Sequence, residues 1–266
     1  MQIFDTHCHI ADPAFDADRG DVLARMKENG VCRANVIADP CEEEPNQEKV
    51  FAIAEANSDM LVASIGAHPH NASRYNAAAE ETILSYLKHP QCVLLGEIGL
   101  DYHYDLSPRD VQRNVFDRQL DLAYELGRTV QLHIREAHGD CMDMLRARAK
   151  AGRMPRGIMH CYTGSWEAAK VYLDFGLYIS FSGALTFKNA PKLQEVCLNM
   201  PAERILVETD CPYMAPVPLR GKRCEPAFVT HTLAKAAEIR GAAPDAFAAQ
   251  VYENSLRALG LQTDSE

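Results

Sequence analysis

Ile3-Phe4-Asp5-Thr6-His7-Cys8-His9 reads as a short buried strand that ends in two histidines. Side chains two apart on a strand share a face, so both imidazoles point one way and Cys8 the other. A histidine pair at a strand end has the geometry of a metal-ligand pair. The same motif alone can also be a polar strand cap. The choice between the two depends on where the other acids and histidines fall.

Seven more short apolar runs follow, at 34–38, 61–67, 93–96, 130–134, 157–159, 177–181 and 205–208. Between them lie segments of helical periodicity at 19–29, 46–57, 77–88, 108–126, 139–150, 165–175, 190–200, 228–240 and 245–259. The segment 108–126 is the clearest. Ser107 offers an N-cap, Pro108 suits the first helical position, and Asp110 favours the positive end of the dipole. Val111, Val115, Leu122 and Leu126 keep near-helical spacing, and Gly127 supplies the stop. Eight strands alternating with helices predict a single (β/α)8 TIM barrel over residues 1–266, an α/β fold of one domain. A doubly wound open sheet is the competitor. It would normally carry a G-x-G-x-x-G or G-x-x-x-x-G-K-[ST] turn if it bound nucleotides, and neither occurs.

Bulk properties narrow the function. The chain has 266 residues, 47% of them hydrophobic, which is enough for a large core. A formal charge of -10 argues against extended wrapping of duplex DNA but leaves a nucleic acid end, held locally by metal, as a possible substrate. No membrane span or signal peptide is visible, and no segment calls for an obligate protein partner. The nine cysteines form no C-x-x-C pair and read as reduced core packers, so a cytoplasmic location is expected.

Candidate ligands recur where strands end. His7 and His9 close the first, Glu97 the fourth, His133 lies near the end of the fifth, His160 follows the sixth, and Asp210 ends the eighth. In a barrel the C-terminal strand ends meet at one mouth. Four histidines and two carboxylates gathered there need a counter-charge, and a divalent metal supplies it. Nitrogen plus carboxylate ligation suits zinc, manganese, nickel or cobalt, and magnesium less well. Six ligands suit two ions: one on His7, His9 and Asp210, another on His133 and His160, with Glu97 bridging. Asp210 is also the candidate general base.

Other residues carry weaker signals. His68 and His70, in His68-Pro69-His70, could donate to the site, hold a substrate oxygen or only stiffen a turn. Asp5 could orient His7, and Asp101, Tyr102 and His103 could line the site. Asp12, Asp16 and Asp18 read as turn and helix-start residues. The loop Arg220-Gly221-Lys222-Arg223, with Arg135 and Lys188, is a basic cluster near the mouth, suited to an anionic substrate.

Taken in order, Asp5-Thr6-His7-Cys8-His9, Gly96-Glu97-Ile98-Gly99-Leu100-Asp101-Tyr102, His133-Ile134-Arg135-Glu136-Ala137, His160-Cys161-Tyr162-Thr163-Gly164, Glu208-Thr209-Asp210-Cys211-Pro212-Tyr213 and Arg220-Gly221-Lys222-Arg223-Cys224-Glu225-Pro226 resemble the TatD-like metal-dependent hydrolases. These are deoxyribonuclease relatives within the amidohydrolase superfamily. The resemblance implies a TIM barrel and a two-metal centre on His7, His9, Glu97, His133, His160 and Asp210. It further implies hydrolysis of phosphodiester bonds, often as a 3′-end exonuclease. Cys224 stands where the family usually has Asn, and Thr129 where Pro commonly opens the fifth strand. The expected substrate is a DNA end. A small ester, lactone, amide or phosphoester substrate is the alternative, and a non-catalytic partner-binding barrel is a third reading.

Overall fold

The computed structural model describes residues 1–261. The expected single-domain span of 1–266 therefore includes five positions, 262–266, that lie outside the described residues. Eight parallel strands pair in chain order: β1 Ile3–Cys8, β2 Val31–Ala38, β3 Leu61–Ile65, β4 Cys92–Asp101, β5 Thr129–Arg135, β6 Gly157–Met159, β7 Tyr178–Phe181 and β8 Ile205–Val207. The sheet curls until its edges meet. Asp210 N–H donates to His7 O at 3.0 Å, and His9 N–H donates to Cys211 O at 2.8 Å. This nearly closed barrel is the predicted fold, and the sequential strand order excludes the doubly wound alternative.

Nine helices are found among the described residues: α1 Arg19–Glu28, α2 Gln47–Ala56, α3 Ala77–Tyr86, α4 Arg109–Glu125, α5 His138–Lys150, α6 Trp166–Asp174, α7 Pro191–Asn199, α8 Val229–Arg240 and α9 Pro244–Leu259. Phe4, Val62, Leu94, Ile158 and Leu206 form one apolar cluster with Tyr252, Leu256 and Leu259 of α9. That cluster fills the end of the barrel where the strands begin. A polar layer crosses the interior above it: Thr6 Oγ1 meets Ser180 Oγ at 3.1 Å, and Gln131 Nε2 donates to Thr6 O at 2.9 Å. Asn35 Nδ2 reaches Ser64 and Gln131, each at 3.3 Å. These bonds give the buried Thr6, Ser180, Gln131 and the Asn35 amide nitrogen partners that water would otherwise supply, while Asn35 Oδ1 has none.

Helix α4 corrects two sequence expectations. Ser107 does not cap it. Its hydroxyl instead donates to His70 O at 2.9 Å and accepts from Ser73 N–H at 3.1 Å. Leu126 is exposed, whereas Gln112 and Gln119 lie buried on the core face. Gln119 exchanges hydrogen bonds with the Ala67 backbone at 2.8 and 3.1 Å, and Gln112 does so with Asp101 at 2.8 and 3.1 Å. Two amides on one helix face thus clamp the segments that leave β3 and β4. Gly127, at φ 62°, ends the helix as expected.

Two register irregularities aim the site. In β1, Asp5 pairs with Ala34 and Cys8 with Val36, so three residue steps face two. The extra residue lets Thr6 and His7 both reach the barrel interior, against strict alternation. In β4, Leu95 pairs with Val130 and Ile98 with Leu132, again three steps against two. Glu97 therefore lies within a longer β4 rather than closing it, and it turns inward at the irregularity. Gly99 permits the tight β4–β5 approach, since a Cβ there would sit 2.0 Å from His133 O. Asp210 lies three residues beyond Val207, in the loop after β8 rather than at the strand's end.

Candidate metal centre

Glu97 is the hub. Its Oε1 lies 2.7 Å from His133 Nδ1 and 2.8 Å from His160 Nε2, while its Oε2 lies 3.3 Å from His7 Nε2. On the His7 side, His7 and His9 oppose their Nε2 atoms at 3.1 Å. Asp210 Oδ1 is 3.5 Å from His9 Nε2 and 3.7 Å from His7 Nε2. All six predicted ligands therefore converge at the mouth, in two groups that share one carboxylate.

The outer atoms explain how the rings are held. His160 Nδ1 donates to Glu208 Oε1 at 3.0 Å, and the same oxygen accepts Cys161 N–H at 2.6 Å. His133 Nε2 faces Asp101 Oδ2 at 3.1 Å. Each ring thus has one nitrogen tied to a buried carboxylate and the other turned towards Glu97. This is how a protein fixes the tautomer of a metal-binding histidine. His160 and His7 stack with centroids 3.8 Å apart, which rules out charging both cheaply. Burial, together with His160, pushes His7 below the ordinary imidazole range. Burial also opposes charge on His160, but Glu97 and Glu208 outweigh it and push that ring well up. Glu97 would rise on burial alone, yet the surrounding imidazoles, His160 foremost, hold it well below the usual carboxylate range.

That pattern fits divalent cations. In the protein alone, His9, His133 and His160, all raised against their burial by the neighbouring carboxylates, supply the positive charge that Glu97 and Asp210 require. Removing those protons leaves lone pairs converging from His7, His9 and Glu97 on one side and from Glu97, His133 and His160 on the other. His68, His70 and His133 also lie within ligating distance of one another. His68 is nevertheless a donor: its Nδ1 accepts His70 N–H at 3.2 Å, so its proton sits on Nε2, 3.5 Å from Glu97 Oε1. Burial lowers its pKa to about 4, which keeps the ring neutral. His70 Nε2 is occupied by Asp101 Oδ2 at 2.8 Å.

The other expected residues divide. Asp5 accepts Thr209 N–H at 2.9 Å, the Thr209 hydroxyl at 2.5 Å and His7 N–H at 3.3 Å, so it fixes backbone rather than the His7 ring. Tyr102 turns outward to Asp140 at 2.6 Å, and His103 pairs with exposed Glu136 at 2.7 Å. Neither lines the centre. Asp12 caps a turn by accepting Ala14 N–H at 2.7 Å. Arg223 grips Asp18 at 2.7 and 2.8 Å and stacks on Phe15, which ties the basic loop to the start of α1. Lys222, Lys188 and Arg220 are exposed, Arg220 lying 3.8 Å over the Phe187 ring. Arg135 lies 4.8 Å over the Tyr104 ring. Cys224 is buried beside Cys211, so its side chain faces the core rather than solvent. Sequence reasoning assigned no role to Glu208, Gln112 or Gln119. The available signal was a polar residue at a position the pattern marks as core.

A barrel whose mouth gathers four histidines and Asp210 about a shared Glu97 has the arrangement of a metal-dependent hydrolase. Residues 4–260 match the family model described as TatD related DNase, and the chain belongs to that family. It is 36% identical to YabD of Bacillus subtilis, an uncharacterized metal-dependent hydrolase, over 96% of this chain and 98% of that one. It is 34% identical to the 3′-5′ ssDNA/RNA exonuclease TatD of Pantoea ananatis, over 97% of this chain and 100% of that one. Among solved structures, the TatD homologue YjjV of Escherichia coli superposes with a TM-score of 0.89 at 28% identity, covering 98% of each chain.

Proposed function

We propose that the protein is a 3′-5′ exonuclease of single-stranded nucleic acid that works with two divalent cations. The observation that carries the two-cation reading is the division of Glu97: one oxygen faces His133 and His160, the other His7. His7, His9 and Asp210 would hold the first ion, His133 and His160 the second, and Glu97 both. The mixed nitrogen and carboxylate set suits zinc, manganese, nickel or cobalt over magnesium. Bound there, the cations supply charge stabilisation at the phosphate oxygens and a more acidic water. The relative from Pantoea ananatis, matched end to end, supports the substrate and the polarity.

The chain's own groups do the rest. Asp210, partly exposed and beside His9, takes the proton of the attacking water. His68, whose Nε2–H lies 3.5 Å from Glu97 Oε1, turns that donor to the scissile phosphate when substrate enters. Arg135, Arg220 and Lys222 receive neighbouring phosphates. We place the enzyme in the cytoplasm, in keeping with its nine free thiols. None of its helices among the described residues is long and apolar enough to cross a membrane.

The test is direct. Protein supplied with manganese or zinc should shorten a 5′-labelled single strand stepwise from its 3′ end, and His133→Ala should lose this by at least about 100-fold. Products released from the 5′ end, or cleavage of a small ester with inert oligonucleotides, would overturn the reading.

A further inference from the structure

Tyr104 and Tyr213 stand at the mouth of the barrel with no role in the chemistry above. They are 54% and 59% exposed, among the most exposed large apolar side chains of the described residues. Tyr104 belongs to the loop after β4, where its N–H is held by Asp101 Oδ1 at 2.8 Å. Its ring meets His70 edge-on at 5.3 Å. Tyr213 belongs to the loop after β8, its N–H bonded to Asp210 O at 3.0 Å and its ring edge-on to His9 at 6.4 Å. One ring therefore flanks each side of the Glu97 centre, on backbone anchored beside a site carboxylate. Leu106 and Val217 extend the same two loops as exposed apolar residues, at 65% and 41%. An exposed apolar rim around a metal centre is a place where a ligand docks.

From this geometry we infer that Tyr104 and Tyr213 are stacking platforms for the unpaired bases next to the scissile phosphate, and that they set the preference for single strands. The inference rests on the exonuclease reading and deepens it. A nucleobase offers a flat π-face that a tyrosine ring matches whatever the base, which gives affinity without sequence choice. Arg135, 4.8 Å over one face of the Tyr104 ring, sets a positive charge beside that platform. A paired duplex end keeps its bases stacked on each other and cannot offer those faces. The strand end therefore has to be open for both rings to engage.

The experiment measures binding as well as cleavage, with a short fluorescein-labelled oligothymidylate and the same oligomer carrying tetrahydrofuran abasic residues at its 3′ end. Tyr104→Ala and Tyr213→Ala should each weaken binding of the normal oligomer about tenfold, raising KM while kcat changes little. Tyr104→Phe and Tyr213→Phe, which keep the ring, should restore it. Wild-type protein should lose comparable affinity for the abasic oligomer, and the alanine variants should lose little more. Additive losses, or alanine variants that bind normally, would overturn the inference while leaving the exonuclease reading intact. Failure of the wild-type protein to bind or shorten any single strand, with turnover of bis(4-nitrophenyl) phosphate, would remove both. Tyr104, which touches no cation-facing residue, keeps the test decisive if Tyr213→Ala disturbs His9.

Discussion

Glu208 touches neither the mouth nor any substrate, yet its Oε1 receives His160 Nδ1 at 3.0 Å inside a fully buried pocket. A glutamine there cannot accept that bond with the same charge and can turn its amide to the ring. Glu208→Gln should cut affinity for the second cation by about 10- to 100-fold while leaving the KM for oligonucleotides near wild type. Competition with a calibrated chelator reads this directly, and unchanged metal affinity would show that His160 needs no outer partner. The same ring governs a pH effect. His160 sits well above its ordinary value of 6.5, so its protonated form stabilises the cation-free fold below that pH, and the contribution fades as pH rises through the folded value. Cations compete for the same nitrogen and bind more tightly as the proton leaves. The gain in Tm from added zinc or manganese should therefore be larger at about pH 8 than at about pH 6. A gain independent of pH would mean that the ring is already proton-free.

Among the elements, α4 does more than cover the sheet. Gln119 satisfies both backbone groups of Ala67, next to His68, in a place water does not reach. Gln119→Leu keeps the volume but orphans a buried N–H and a buried C=O, so it should cost about 2 kcal/mol or more. Urea unfolding checks this, and a loss of only a few tenths would mean that the loop repairs itself. Such amides also mark where the sequence stops being legible. All eight strands and nine helices of the described residues are visible as alternating apolar runs and amphipathic periods, because those patterns follow from repeat geometry alone. A rule that expects apolar residues on the core face passes over Gln112 and Gln119, since their partners lie 11 and 52 residues away. The extra residues in β1 and β4 are hidden for a related reason. Register is a relation between two strands, and no single run of side chains records it. The six inward donors were legible despite this, because strand ends meet at one mouth however each strand is kinked.

At the scale of the molecule, a net charge of -10 has to coexist with an anionic substrate. Two of the arginines are already spent within the fold: Arg25 grips Glu225 at 2.7 and 2.8 Å, and Arg223 grips Asp18. Arg135, Arg220 and Lys222 remain to meet phosphates, so the charged contact with a strand is short. On the proposed reading, long-range repulsion and few local contacts together favour holding an end over following a track. Binding of a single strand should then weaken with salt at a log–log slope of about −2, the value for about three phosphate contacts. Arg135→Ala should flatten that slope by about 0.7. Anisotropy titrations of the fluorescein-labelled oligothymidylate at several ionic strengths measure both. A slope of about −5 or steeper would mean that the strand follows a long basic path over the surface, and would contradict an enzyme that grips only the terminus.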